Sequence, residues 1–179
     1  MAIKNPGPYR DIQRPYTRKS KVRSKAYIKT VPPQAIVKFV MGNTQKWYAH
    51  GFPFRVEIRS EVDCQIRDVA LEASRQQILR EVTEQIGNDF YFNVAVAPHH
   101  MLREHKQAAV AQADRMSQGM SLSFGKTVGR AAQVHKGKSI FILGLNTENE
   151  VVKLRAIYNQ TKQKLPIVTR IEVQKIPQK

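Results

Sequence analysis

The run SIFILGL at residues 139–145 is apolar on both faces of an extended chain, which predicts a strand in the middle of a sheet. The stretches around it supply the neighbours. FPFRVEIR (52–59) alternates, with Phe52, Phe54, Val56 and Ile58 on one face and Arg55, Glu57 and Arg59 on the other. FYFNVAVA (90–97) does the same with Phe90, Phe92, Val94 and Val96 inward. QAIVKFVM (34–41) reads as a strand closed by Gly42-Asn43, and IVTRIEV (167–173) as the last one. GRAAQV (129–134) leads into SIFILGL through a short turn at His135-Lys136-Gly137.

Two segments change period. From about Gln65 to Ile86 the apolar residues Leu71, Ile78, Leu79, Val82 and Ile86 fall on one helical stripe, with Arg75 as the misfit, and Gly87-Asn88-Asp89 stops the helix. Thr147 and Glu150 stand at the reciprocal positions of a capping box. The helix they open carries Val151, Leu154, Tyr158 and Leu165 on one face and ends at Pro166. The order is arm, β, β, α, β, loop, β, β, α, β. It predicts an α+β domain over 34–176, two helices against one mixed or antiparallel sheet. No internal repeat is visible.

Charge is distributed unevenly. The chain has 179 residues, 30 Lys+Arg against 14 Asp+Glu, and a net charge of +16. Residues 1–30 carry +8, residues 31–97 carry −1, residues 98–138 carry +5 and residues 139–179 carry +4. Residues 1–33 are rich in proline and basic groups and poor in apolar ones, so they read as an extended basic arm. Tyr9, Tyr16 and Tyr27 lie among the bases, a pattern suited to phosphate pairing with stacking. Nucleic acid is therefore the expected partner. A single cysteine, Cys64, excludes an internal disulfide and a multi-cysteine zinc site, and fits a reducing compartment as a structural thiol. No run reaches the roughly eighteen apolar residues of a membrane span, and MAIKNPGPYR has no apolar core of a secretion signal.

The middle of the chain is unusual. ADRMSQGMSLSFGKTVG (113–129) holds three serines and three glycines. Between Arg103 and Gln118 only Val110 and Met116 are large and apolar. This predicts a long loop over about 102–126, most mobile over 102–119, with a short strand at Met120–Phe124. Gly125-Lys126-Thr127 imitates a phosphate-binding loop, but five residues rather than four separate Gly119 from Gly125, and a strand follows instead of a helix. His100, Glu104 and His105 approach a zinc-protease pattern with one residue too many. No carboxylate pair or nucleophile-base set stands out, so neither catalysis nor a metal or other cofactor is expected. The alternative reading is an RNA-modifying or RNA-processing enzyme using the His99, His100 and His105 cluster.

RPYTRKSKVR (14–23), VALEASRQQ (69–77), PHHMLR (98–103), ADRMSQGMSLSFGK (113–126) and RAAQVHKGKSIF (130–141) resemble, in order and spacing, a large-subunit ribosomal protein family. It is called sixteen in bacteria and ten-e in archaea and eukaryotes. The similarity runs from about Tyr9 to Val173; low cysteine content points to an archaeal member, and Thr127 stands where the family often has proline. The resemblance implies an α/β-hammerhead type domain on large-subunit rRNA, monomeric among neighbouring proteins of the cytoplasmic ribosome. It also implies a place beside aminoacyl-site tRNA, with the loop reaching toward the peptidyl-transferase region. On this reading Arg10, Arg14, Arg18, Lys19, Lys21, Arg23 and Lys25 meet rRNA. His99, His100, Arg103, Arg115, Gly119, Gly125 and Lys126 form the loop's tRNA and rRNA contacts.

Overall fold

A computed structural model describes residues 10–12, 22–26, 28–104 and 126–176. Among them lie eight strands: β1 (Val40–Gly42), β2 (Phe54–Ser60), β3 (Cys64–Arg67), β4 (Tyr91–Val94), β5 (His100–Glu104), β6 (Lys126–Val134), β7 (Ser139–Leu145) and β8 (Thr169–Lys175). Three α-helices join them: α1 (Thr44–Tyr48), α2 (Asp68–Gln85) and α3 (Glu148–Thr161). The α+β class is as predicted, but one sheet has become two. One is five-stranded in the order β1-β4-β7-β2-β8, the other three-stranded in the order β3-β6-β5. Every described pairing is antiparallel. No described helix is long and apolar enough to cross a membrane.

SIFILGL is β7, third of five, with Ile140, Phe141, Leu143 and Leu145 fully buried. Its two faces meet different layers. On one side a single core cluster joins both sheets to α2 and α3 through residues such as Val56, Ile66, Leu71, Ile78, Phe92, Leu143 and Leu154. On the other, Gly144 leaves room for the ring of Trp47 from α1; a Cβ there would stand 2.9 Å from that ring. Tyr91 and Arg55, the cross-strand neighbours of Gly144, flank the same ring. Tyr91 stacks on it at 4.1 Å and Arg55 lies 5.7 Å from its centroid. The five-residue α1 is too short to stand alone. It is held by Asn43, whose side chain accepts the Lys46 N–H, and by this aromatic seat.

Several boundaries differ from expectation. The predicted strand over 34–41 shrinks to Val40–Gly42; the Ala35 N–H goes to the Asp68 carboxylate instead of to a neighbouring strand. The predicted helix over 65–86 begins only at Asp68; Cys64–Arg67 pairs instead with β6 as a strand. Cys64 is buried there, and burial pushes its thiol up, as suits a structural cysteine. The capping box at Thr147 is present, but α3 stops at Thr161 and a 3-10 turn, Lys162–Lys164, intervenes before Pro166. The expected loop over 102–126 loses both ends: Leu102–Glu104 belongs to β5 and Lys126 opens β6. Its remainder, with the Met120–Phe124 strand, lies outside the described residues.

Arg75, the misfit on the α2 stripe, is buried against Glu72 one turn earlier. Its Nε and Nη2 donate to the two carboxylate oxygens at 2.7 and 2.6 Å, and Nη1 lies 3.0 Å from the Met41 sulfur of β1.

Candidate nucleic-acid interface

The arm is fastened at three described places. Near its start the Arg10 carbonyl accepts the Gln65 N–H at 2.8 Å, on the edge of β3. Further on, Arg23–Lys25 forms a 3-10 turn closed by the Lys25 N–H on the Val22 carbonyl, and Ala26 and Ile28 are buried behind it. Arg10, Lys25 and Lys29 face solvent. From Thr30 the chain crosses β6, whose side chains hold it. Thr127 Oγ1 donates to the Thr30 carbonyl at 2.7 Å and Arg130 Nε to the Pro32 carbonyl at 2.8 Å. Arg14, Arg18, Lys19 and Lys21 lie outside the described residues, and Arg23 is described by its backbone alone.

The β5–β6 hairpin carries the second group of expected contacts. Glu104 and Lys126 are register partners at the end where the chain leaves β5 and re-enters at β6, and the register shifts between Leu102 and Arg103. Such a bulge re-aims the strand end beyond it. His99 is exposed, its Nδ1 3.0 Å from the Ala97 carbonyl. His100 does not fit the expected role. It is only 1% exposed, and burial, with His99 close by, pushes its imidazole below the ordinary range. The buried Met101 and Leu102, on opposite faces of the strand, explain why: β5 is covered on both sides there. His100 is a neutral interior histidine, out of reach of phosphate, and the histidine cluster loses its central member as an accessible acid-base group. Arg103 is half-buried opposite Thr127. Arg115, Gly119, Gly125 and His105 lie outside the described residues. Among those described, no three His, Cys, Asp or Glu side chains gather as a metal site.

Other cations are engaged within the fold. Glu57 is buried on the open face of β2, where Arg55 and Arg59 pair with it at 2.6 and 2.9 Å and Ser139 donates to it at 2.5 Å. Burial alone would push its carboxyl up; these hydrogen bonds and charges outweigh that and hold it below the usual range. Arg59 also reaches Glu172 on β8, which pairs with Arg170. Glu57 and Glu172 are direct cross-strand neighbours, so the arginines between them offset a like-charge contact. Sequence reading missed that half-buried Arg67 and exposed Lys164 line one cleft, because the fold alone brings β3 and the turn after α3 together.

Fold and surface together define a basic α+β protein whose exposed cations include Arg10, Lys25, Lys29 and Lys164, a surface suited to an extended polyanion. Comparison with known proteins gives the particular family. The sequence profile described as ribosomal protein L16p/L10e matches residues 12–172. The large ribosomal subunit protein uL16 of Methanococcus maripaludis is 41% identical over 177 residues, covering 98% of this chain and 96% of that protein. Those of Methanosphaerula palustris and Pyrobaculum arsenaticum are 37% and 36% identical, covering 98% and 97% of this chain. The chain belongs to the ribosomal protein L16p/L10e family. It is a ribosomal protein of archaeal type and not an enzyme, and its place is the cytoplasmic ribosome.

Proposed function

We propose that the protein, as a structural constituent of the large ribosomal subunit, binds large-subunit rRNA through backbone phosphates and helps shape the site where aminoacyl-tRNA is accommodated during translation. The observation that carries this is family membership over nearly the whole chain, joined to a charge of +8 in residues 1–30 and +5 in residues 98–138. The arm neutralises phosphates, the body fixes the geometry, and the segment joining β5 to β6, with the strand ends that flank it, contacts tRNA and rRNA through Arg103, Arg115 and Lys126. Glycines at 119 and 125 permit close backbone approach. The protein acts as a single copy beside neighbouring ribosomal proteins, and peptide transfer itself belongs to RNA.

Replacing Arg14, Arg18, Lys19 and Arg23 with alanine is expected to weaken rRNA binding across sequences. The log-log salt slope should flatten by roughly 0.7–0.9 per lost contact. An unchanged slope in a filter-binding titration would remove the arm as the anchor. A second test uses the hairpin geometry. Because Glu104 and Lys126 are paired, residues 105–125 can be replaced by Asn-Gly, the two-residue turn suited to a hairpin. The shortened protein should enter large subunits normally while aminoacyl-tRNA accommodation slows. Normal accommodation rates would exclude the segment from that role.

A further inference from the structure

With seven residues, β8 is the longest edge strand among the described residues; β1 has three, β3 four and β5 five. Its pairing with β2 runs without a bulge from Lys175 opposite Phe54 to Thr169 opposite Ser60. In an antiparallel ladder only alternate residues bond to a given neighbour. The bonds at the two ends of this ladder fix which ones. The Ile176 N–H donates to the Pro53 carbonyl at 2.8 Å, and the Glu61 N–H to the Val168 carbonyl at 3.1 Å. Arg170, Glu172 and Gln174 therefore bond toward β2. The N–H and C=O groups of Thr169, Ile171, Val173 and Lys175 point away from it, out of the edge of the sheet. Among the described residues, no backbone group meets them there.

Edge strands are commonly blunted by shortness, by proline or by a bulge. None of these interrupts Thr169–Lys175. The side chains also suit a further strand. Ile171 and Val173 are half-buried and pack against the core cluster from one face, and Val168, leading into the strand, is 63% exposed. On the opposite face Arg170 and Gln174 are exposed, with Glu172 between them held by Arg59 and Arg170.

We infer that the outer edge of β8 accepts one more strand, an extended uncharged or acidic segment of a neighbouring protein in the large subunit. The edge chemistry selects this class of partner. Each outward residue offers a donor and an acceptor side by side, a pattern that another polypeptide strand matches along its length. RNA phosphates accept but do not donate, so they would leave the outward carbonyls facing negative charge. A second copy of this chain brings +16 against +16, a repulsion that opposes edge-to-edge pairing. The same positive balance favours a segment without excess Lys or Arg. Apolar residues at its alternate positions would lie beside Ile171 and Val173 and extend the core cluster across the new strand. The inference rests on the large-subunit reading above and adds a protein contact to the RNA contacts proposed there.

The test is amide hydrogen exchange, resolved by residue, on the free full-length protein and on reconstituted large subunits that contain it. In the free protein the amides of Thr169, Ile171 and Val173 should exchange faster than those of Arg170, Glu172 and Gln174. In the subunits the outward amides should slow by about tenfold or more. A benzophenone side chain placed at exposed Gln174 should then crosslink to one extended segment of another protein. Outward amides that stay as fast in the subunit as in the free protein would overturn the proposal. So would a crosslink to rRNA alone, or none. Protection already present in the free protein would give the edge to a second copy if dilution removes it, and to this chain itself if dilution does not; either result overturns the proposal. Subunits that assemble fully without taking up the protein would instead overturn the large-subunit reading.

Discussion

Glu72→Ala is expected to destabilise the free protein by about 3–5 kcal/mol, the cost of leaving a buried charge unpaired. Arg75 is 7% exposed and Glu72 8%, and the guanidinium is held bidentately by that one carboxylate. Removing Glu72 leaves Arg75 in the interior with, among the described residues, the Met41 sulfur as its remaining side-chain hydrogen-bond partner. Replacing both with apolar residues of similar volume, Glu72→Met with Arg75→Leu, should be neutral or stabilising by about 1–4 kcal/mol, since two desolvation penalties vanish together. Chemical denaturation of the two variants checks the pair of outcomes. A Glu72→Ala loss below about 1 kcal/mol would mean that Arg75 reaches water, as exposed pairs contribute only that much. The pH dependence has a definite sign. The hydrogen bond from Arg75 holds the Glu72 carboxyl below its usual range, and this outweighs the effect of burial. The pair's contribution is therefore complete above the ordinary glutamate pKa and is lost as pH falls through the lower folded value. The stability gap between wild type and Glu72→Ala should narrow over that window.

Ile78→Ala should cost about 2–5 kcal/mol. Ile78 is fully buried on α2, in the cluster that joins the helices to both sheets. Truncation removes apolar surface from a place where neighbours on two sheets cannot all close in, so a cavity term adds to the transfer term. Ile78→Val should cost only about 0.5–1.5 kcal/mol. A thermal melt that hardly moves for alanine would show that the α2 stripe is not packed as described.

The stripe itself was legible because its signal is local. Leu71, Ile78 and Val82 repeat at the helical period and all three are buried; the Thr147–Glu150 box and the apolar β7 are equally short-range patterns. The positive balance of the arm and of residues 98–138 needs no fold to be read. The candidate site was less legible. His100 lies in a polar-looking run, Pro-His-His, yet β5 is covered on both faces and encloses it.

What the sequence by itself determined is the set of periods, caps and charges: the apolar stripe of α2, the capping box of α3, the apolar β7, and a positive balance suited to a polyanion. Only the tertiary structure decided the partners. Cys64–Arg67 looks like the start of a helix until β6 offers it a ladder. Pro32–Ala35 looks like the approach to a strand until Arg130 and Asp68 take its polar groups. Arg75 looks misplaced until Met41, 34 residues away, and Glu72 enclose it. Arg10, Arg67 and Lys164 form one cleft from three distant segments. Periodicity is set by a residue's nearest neighbours along the chain. Burial, pairing and charge clustering are set by groups brought close only when the chain has folded.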